Sequence, residues 1–130
     1  MDDLHIPAGY ATPAIRFEFS RHRLGIHGDS CPENAMAFYS PIGASLHDYL
    51  EALPADGQVD VNIGLRSLNS SSTKLIRSLV KLLDRTAAKG PSISVDWLVG
   101  EDDNWMLEFG IDLKEEHQSL KFNTVVAEPT

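Results

Sequence analysis

Four hydroxyl side chains follow an asparagine at the point where a strand is predicted to give way to a helix. They are Ser70, Ser71, Ser72 and Thr73, after Asn69, in the stretch SLNSSSTK. One such residue is enough to cap a helix. The first turn of a helix also has unpaired N–H groups and carries the positive end of the helix dipole, so it holds anions well. A phosphate carried by one of these serines would therefore be stabilised there.

Two cations, Lys74 and Arg77, follow about one turn later in the same predicted helix. A phosphoserine adds about −1.5 to −2 charges and three acceptor oxygens. On a surface that another protein must cover, the same charge blocks contact through its desolvation cost and through repulsion. The residues thus fit a phosphorylation switch, and they also fit plain helix capping. Spacing alone leaves both interpretations open.

The stretch GDSCPENAM has the signature of a second helix start. Asp29 or Ser30 is expected to be the N-cap, with Pro32 in the first turn. If both helices follow neighbouring strands, they begin on one edge of the domain. That arrangement places Glu33 and Asn34 close to the serines.

The elements that position these residues follow from the apolar periodicity. Alternation over 14–19 and 23–28 predicts a β-hairpin. The period then changes to three and four, which predicts a helix with the apolar face Met36, Tyr39, Ile42, Leu46, Leu50 and Leu53. Pro41 lies inside this pattern and is expected to kink the helix or restart it, because proline supplies no N–H.

Three further strands are predicted, at 59–65, 92–99 and 120–126. A helix fills each gap between them; the second of these helices is weakened by Gly110, so that an initial strand is the alternative there. The resulting order, β-β-α-β-α-β-α-β, predicts an α/β sandwich around one mixed sheet in a single domain. We expect this domain to span 14–130, after a loosely held arm at 1–13.

Composition excludes several functional classes for this chain of 130 residues. The net charge of −8 disfavours nucleic acid and anionic lipid as partners. No apolar run approaches the roughly 20 residues of a membrane span, and the acidic N-terminus lacks a signal-peptide pattern, so a cytoplasmic location is expected. The lone Cys31 is expected to be a small, partly buried hydrophobe. No catalytic residues, cofactor site or metal site are predicted.

Three motifs in order resemble the SiaC family of bacterial regulatory phosphoproteins. They are GDSCPENAMAFYSPI, LNSSSTK and SVDWLVGEDDNWMLEFG, within residues 12–126. The usual family pattern has a G-x-S-Y-P-E-N segment, an N-T-S-S-x-K corner after a strand, and a tryptophan-containing strand followed by an acidic turn. The resemblance implies a fold like that of STAS-domain anti-sigma-factor antagonists.

The resemblance also implies a partner switch without enzymatic activity. In that family a kinase phosphorylates the hydroxyl residue after the asparagine, and a PP2C-type phosphatase removes the phosphate. The unphosphorylated form binds and activates a diguanylate cyclase, a GGDEF protein, and so controls cyclic di-GMP and biofilm formation. An anti-sigma-factor antagonist that binds an anti-sigma kinase is the alternative function.

Positions carry over one by one from the family pattern. Ser70 matches the phosphoacceptor, and the expected partner-binding residues are Glu33, Asn34, Asn69, Ser70, Ser71, Ser72 and Lys74. Two departures stand out. Ser70 replaces the family threonine, which keeps a phosphorylatable hydroxyl, and Cys31 replaces a tyrosine, which removes an aromatic ring from a candidate contact surface.

Overall fold

The structure, a computed structural model, describes residues 1–127. Within this range it has six strands, three α-helices and one short 3-10 helix. The strands are β1 Leu4–Ile6, β2 Ala14–Glu18, β3 Arg23–Ser30, β4 Gln58–Leu68, β5 Ser92–Val99 and β6 Lys121–Val126; the helices are α1 Ala35–Glu51, α2 Ser70–Ala87 and α3 Asn104–Glu116, and the 3-10 helix is Phe19–Arg21. The last three residues of the domain predicted at 14–130 lie outside the described residues.

The strands form one mixed sheet in the order β1-β2-β3-β4-β5-β6. The pairs β1–β2 and β2–β3 are antiparallel, and the pairs from β3 to β6 are parallel. Each parallel pair is joined through one helix. Because the three crossovers are right-handed and each moves to the next strand in the same direction, all three helices lie on the same face of the sheet. Burial alternates accordingly: Val59 and Val61 are buried under the helices, whereas Asp60 and Asn62 are exposed. The predicted α/β sandwich with a single mixed sheet is confirmed.

The N-terminal segment differs from the prediction. The fold was expected to begin after residue 13, but Leu4–Ile6 forms an edge strand that pairs antiparallel with β2. Leu4 and Ile6 pack against the hydrophobic core. A three-residue strand carries almost no periodic signal of its own, and here it forms because the edge of β2 is open to pair with it.

Helix α1 runs without interruption from Ala35 to Glu51, so the restart expected at Pro41 is wrong, whereas the alternative of a kink stays a prediction. Pro41 lies on the exposed side of the helix, while Tyr39 and Ile42 are almost fully buried on the other side. Packing of that buried face holds the helix across the missing hydrogen bond. Met36 was assigned to the buried face, and this is also wrong, since its exposure is 63%.

Residues 104–116 form a helix, and the alternative of an initial strand is wrong. Gly110 is required by a close approach rather than by a turn. A Cβ built on it would lie 2.4 Å from Cδ1 of Trp97, and Trp97 is buried with its Nε1–H donating to the Met106 carbonyl at 2.9 Å. The glycine lets α3 lie directly on the indole ring.

No helix within residues 1–127 combines the length and apolar composition that a bilayer span requires.

Candidate partner-docking site

Two helix starts meet on one edge of the sheet, as the sequence predicted. The parallel strands β3 and β4 end side by side, and α1 and α2 begin just beyond them. Asn69 joins the two: its backbone N–H donates to the Ser30 carbonyl at 3.1 Å, and its side-chain Nδ2 donates to the Pro32 carbonyl at 3.0 Å. We call this edge, with the first turns of α1 and α2, the docking edge.

Asn69 is also the N-cap of α2. Its Oδ1 accepts a hydrogen bond from the Ser72 N–H at 2.9 Å, and its carbonyl accepts from the Thr73 hydroxyl at 2.9 Å. The cap is therefore supplied by the asparagine, and none of the following serines is needed for it. Capping accounts for Asn69 and leaves the three serines to be explained.

The three serines have different surroundings. Ser72 is fully buried, and its hydroxyl accepts a hydrogen bond from Ser30 at 2.9 Å, while Ser30 lies 2.6 Å from the Tyr39 hydroxyl. Burial raises the pKa of Tyr39 to about 12, so this group stays protonated at neutral pH. Ser70 and Ser71 are exposed. The expectation that Ser72 contacts a partner is wrong, because its side chain points into the interior.

Cations accompany Ser70 along α2. Lys74 and Arg77 follow it by four and seven residues, so all three side chains share one face of the helix. Arg77 is engaged already: it donates to the Glu116 carboxylate at 3.0 Å, and its guanidinium stands 4.9 Å from the centre of the Phe109 ring. Lys74 is exposed and forms no ion pair with any residue in 1–127. Lys74 is therefore the cation best placed to meet a phosphate on Ser70.

The start of α1 also differs from the prediction. The N-cap is Asn34, whose Oδ1 accepts from the Ala37 N–H at 3.1 Å. Asp29 and Ser30, the expected caps, still belong to β3, and Pro32 precedes the helix. Exposed Glu33 lies just before the cap. Glu33 and Asn34 thus lie on the docking edge, with Asn34 fixed by its capping role.

A β-bulge lets β3 continue to the docking edge. The register between β3 and β4 shifts after Gly28, whose φ of 121° suits glycine alone. Beyond it Asp29 accepts hydrogen bonds from Arg66 at 3.0 Å and from Ser67 at 2.9 Å. The Arg66 guanidinium, followed by the Ser67 hydroxyl, holds the pKa of Asp29 below its usual value. Cys31, two residues after Asp29, is exposed and not partly buried as expected.

Two large apolar side chains near this edge are exposed, although the sequence pattern predicted a buried Met36 and assigned no contact role to Trp105. Trp105, in the first turn of α3, is 57% exposed, and Met36, in the first turn of α1, is 63% exposed. A signal for Trp105 was present in the sequence. The buried residues of α3 are Met106, Phe109, Gly110 and Leu113, a helical stripe from which Trp105 is offset.

The fold also brings Asp3, His5 and Glu18 together, with potential ligand atoms within 4.8 Å of one another. Asp3 and His5 are exposed, and Glu18 is partly buried. The Ser20 backbone N–H and hydroxyl both donate to Asp3 and lower its pKa. We assign no metal to this cluster, because exposed acidic groups commonly lie together without one and Glu18 already has Arg16 at 3.7 Å.

Comparison with known proteins decides the family. The family model described as SiaC family regulatory phosphoprotein matches residues 6–127. The chain belongs to the SiaC family. The resemblance seen in the three motifs is thereby confirmed, whereas the likeness to STAS domains stays a prediction.

Proteins similar to this SiaC-family chain include three from Pseudomonas aeruginosa. An uncharacterized protein of strain UCBPP-PA14 is 32% identical over 118 residues, which covers 89% of this chain and 90% of the relative. The solved structure of SiaC matches with a TM-score of 0.83 at 26% identity, over 98% of this chain and 99% of SiaC. A chain in the crystal structure of diguanylate cyclase SiaD in complex with its activator SiaC matches with a TM-score of 0.82 at 27% identity, covering 95% of this chain and 98% of that one.

Proposed function

We propose that this protein is a non-enzymatic regulatory phosphoprotein whose unphosphorylated form binds and activates a diguanylate cyclase. Through this cyclase, the protein would control the level of cyclic di-GMP and thereby biofilm formation. Membership of a family of regulatory phosphoproteins supports this function. So does the similarity to the complex in which SiaC is the activator of the cyclase SiaD.

One observation carries the proposed switch: Ser70 is exposed at the start of α2, while Asn69 supplies the cap and Ser72 is buried. A phosphate on Ser70 would replace no hydrogen bond that the helix start depends on. It would instead lie beside first-turn N–H groups and Lys74, which stabilise negative charge. The fold would tolerate the modification. The phosphate would make the surface around Ser70 and Lys74 locally negative.

A kinase and a PP2C-type phosphatase are the proposed partners that add and remove this phosphate. Both need access to Ser70, and its exposed position allows it. We propose that Glu33, Asn34, Asn69, Ser71 and Lys74 form the contact around it. The cytoplasm, where cyclic di-GMP signalling and protein kinases operate, is the proposed location.

Substitutions at Ser70 test the switch. Ser70→Ala should bind the cognate cyclase like the parent, because the hydroxyl itself is not required for docking. Ser70→Asp should bind at least about tenfold more weakly, since an acid at the centre of the contact must be desolvated. Ser119→Asp, which adds the same charge just before β6 and thus at the opposite end of the parallel strands, is the control and should leave the affinity within about twofold.

The affinities can be measured by calorimetry, together with cyclic di-GMP production by the cyclase. Equal affinity of Ser70→Ala and Ser70→Asp would refute the switch. Recovery of an anti-sigma factor instead of a GGDEF protein in a pull-down would favour the alternative function.

A further inference from the structure

A groove of about 240 Å³ runs between α2 and α3. Its walls are formed by six residues, two from α2 and four from α3: Thr73, Arg77, Trp105, Glu108, Phe109 and Asp112. Phe109 lies buried at the bottom of the groove, with the Arg77 guanidinium 4.9 Å and the Trp105 ring 5.4 Å from its ring centre. Trp105 keeps 57% of its surface in water. An exposed tryptophan on the wall of a groove is typical of a residue that anchors a protein partner.

The groove opens next to the phosphoacceptor proposed above. Thr73 lies three residues after Ser70, so the two share one face of α2. Arg77 continues the same face into the groove. The hydroxyl of Thr73 is held by the Asn69 carbonyl at 2.9 Å, which fixes this wall to the helix cap. The groove and the docking edge therefore form one continuous surface.

Charge on the rim indicates what the groove accepts. Glu108 and Asp112 are exposed, and neither forms an ion pair with another residue in 1–127. The cation of the groove, Arg77, is neutralised by Glu116 at 3.0 Å. The rim is thus negative, as is the whole chain with a net charge of −8. Such a rim attracts Arg and Lys and repels nucleic acid and anionic lipid.

We propose that this groove is the second part of the docking surface and that it binds a basic segment of the partner protein. An apolar side chain of that segment packs against the exposed ring of Trp105, while flanking Arg or Lys residues pair with Glu108 and Asp112. Only the identity of the partner, the diguanylate cyclase, rests on the proposed function. The phosphate on Ser70 then acts at one end of a contact that is anchored at the other.

A peptide experiment tests the chemistry of the groove without any partner. The chain has two tryptophans, and Trp97 is 1% exposed, so acrylamide quenching of tryptophan fluorescence reports on Trp105. A tryptophan-free peptide with leucine flanked by arginines, at up to about 1 mM, should protect Trp105 from quenching. The same peptide with glutamates in place of the arginines should not. Absence of protection, or equal protection by both peptides, would overturn the proposal.

Two charge-reversal variants separate a specific site from general attraction to an acidic protein. Glu108→Lys should weaken binding of the arginine peptide at least about tenfold. Asp60→Lys, on the exposed face of the sheet away from the helices, should change it by less than about twofold. Equal losses of peptide affinity in the two variants would contradict specific binding in the groove.

Binding of the cyclase tests the groove in its proposed setting. Trp105→Ala should weaken binding at least about tenfold, and Ile111→Ala, which removes a 40% exposed side chain elsewhere on α3, should leave it within about twofold. Unchanged affinity of Trp105→Ala would overturn the proposal that the groove binds the cyclase, and it would not affect the proposed Ser70 switch. Loss in Trp105→Ala with full binding by Ser70→Asp would refute the switch alone. If the parent protein binds no cyclase, the proposed function is refuted. The peptide experiment then decides by itself whether the groove binds basic segments.

Discussion

The hydroxyl of Ser30 lies 2.9 Å from the hydroxyl of Ser72, although 42 positions separate them in the chain. Tyr39 completes the group, 2.6 Å from Ser30 on the other side. These three buried hydroxyls connect the end of β3, the first turn of α2 and the buried face of α1. These buried hydrogen bonds fix the first turn of α2, so a charge added to the exposed Ser70 is held at the docking edge.

Removing Ser30 should cost more stability than removing Ser72. Ser30→Ala leaves both Tyr39 and Ser72 without their buried partner, and we expect a loss of about 2–4 kcal/mol in the free energy of unfolding. Ser72→Ala leaves the Ser30–Tyr39 hydrogen bond intact, so the expected loss is about 0.5–1.5 kcal/mol. Urea unfolding measures both. An equal or larger loss in Ser72→Ala would contradict the central position of Ser30.

The two helix caps should differ in importance. Asn34→Ala removes only the cap of α1, for an expected loss of about 1 kcal/mol. Asn69→Ala removes the cap of α2 and also the hydrogen bond to the Pro32 carbonyl, so we expect about 2 kcal/mol. Urea unfolding of both variants and the parent gives the comparison. Equal losses would show that the bond between the two helix starts contributes nothing.

Two helical glycines should respond to alanine with opposite signs. A Cβ on Gly110 would lie 2.4 Å from the buried Trp97 ring, whereas the nearest contact of a Cβ on Gly43 is 3.8 Å from Leu79. Gly110→Ala should destabilise by about 1–3 kcal/mol through overpacking, and Gly43→Ala should stabilise by about 0.5–1 kcal/mol. Thermal unfolding, followed by far-UV circular dichroism, distinguishes the signs. A neutral Gly110→Ala would contradict the close approach of α3 to Trp97.

Much of the fold could be predicted because each parallel strand and each helix carries a regular apolar pattern. β5 at Ser92–Val99 coincides with its prediction. β1 could not be predicted, since a three-residue strand depends on the open edge of β2 and not on its own sequence. The cap of α1 was misplaced because the bulge at Gly28, which lets β3 reach Ser30, depends on pairing with β4.

The candidate site was predictable in outline but not in detail. That two helices begin on one edge was predicted on the condition that both follow neighbouring strands, and the parallel pairing of β3 with β4 meets that condition. Ser70, Ser71 and Ser72 have identical chemistry, and only the helical phase separates them: Ser72 lies four residues before Ile76 and seven before Leu79, on the buried stripe. This signal was available in the sequence, whereas the hydroxyl contact of Ser72 with Ser30 required the tertiary structure.

The most direct test compares the protein carrying phosphoserine at position 70, introduced by genetic code expansion, with the unmodified protein. We predict that the phosphorylated form is no less stable, because the phosphate lies at a helix N-terminus, and that it binds the diguanylate cyclase at least about tenfold more weakly. Phosphoserine placed at position 119, which is exposed at the opposite end of the parallel strands, provides the matched control and should leave binding within about twofold. Full cyclase binding by the form phosphorylated at Ser70 would contradict the account.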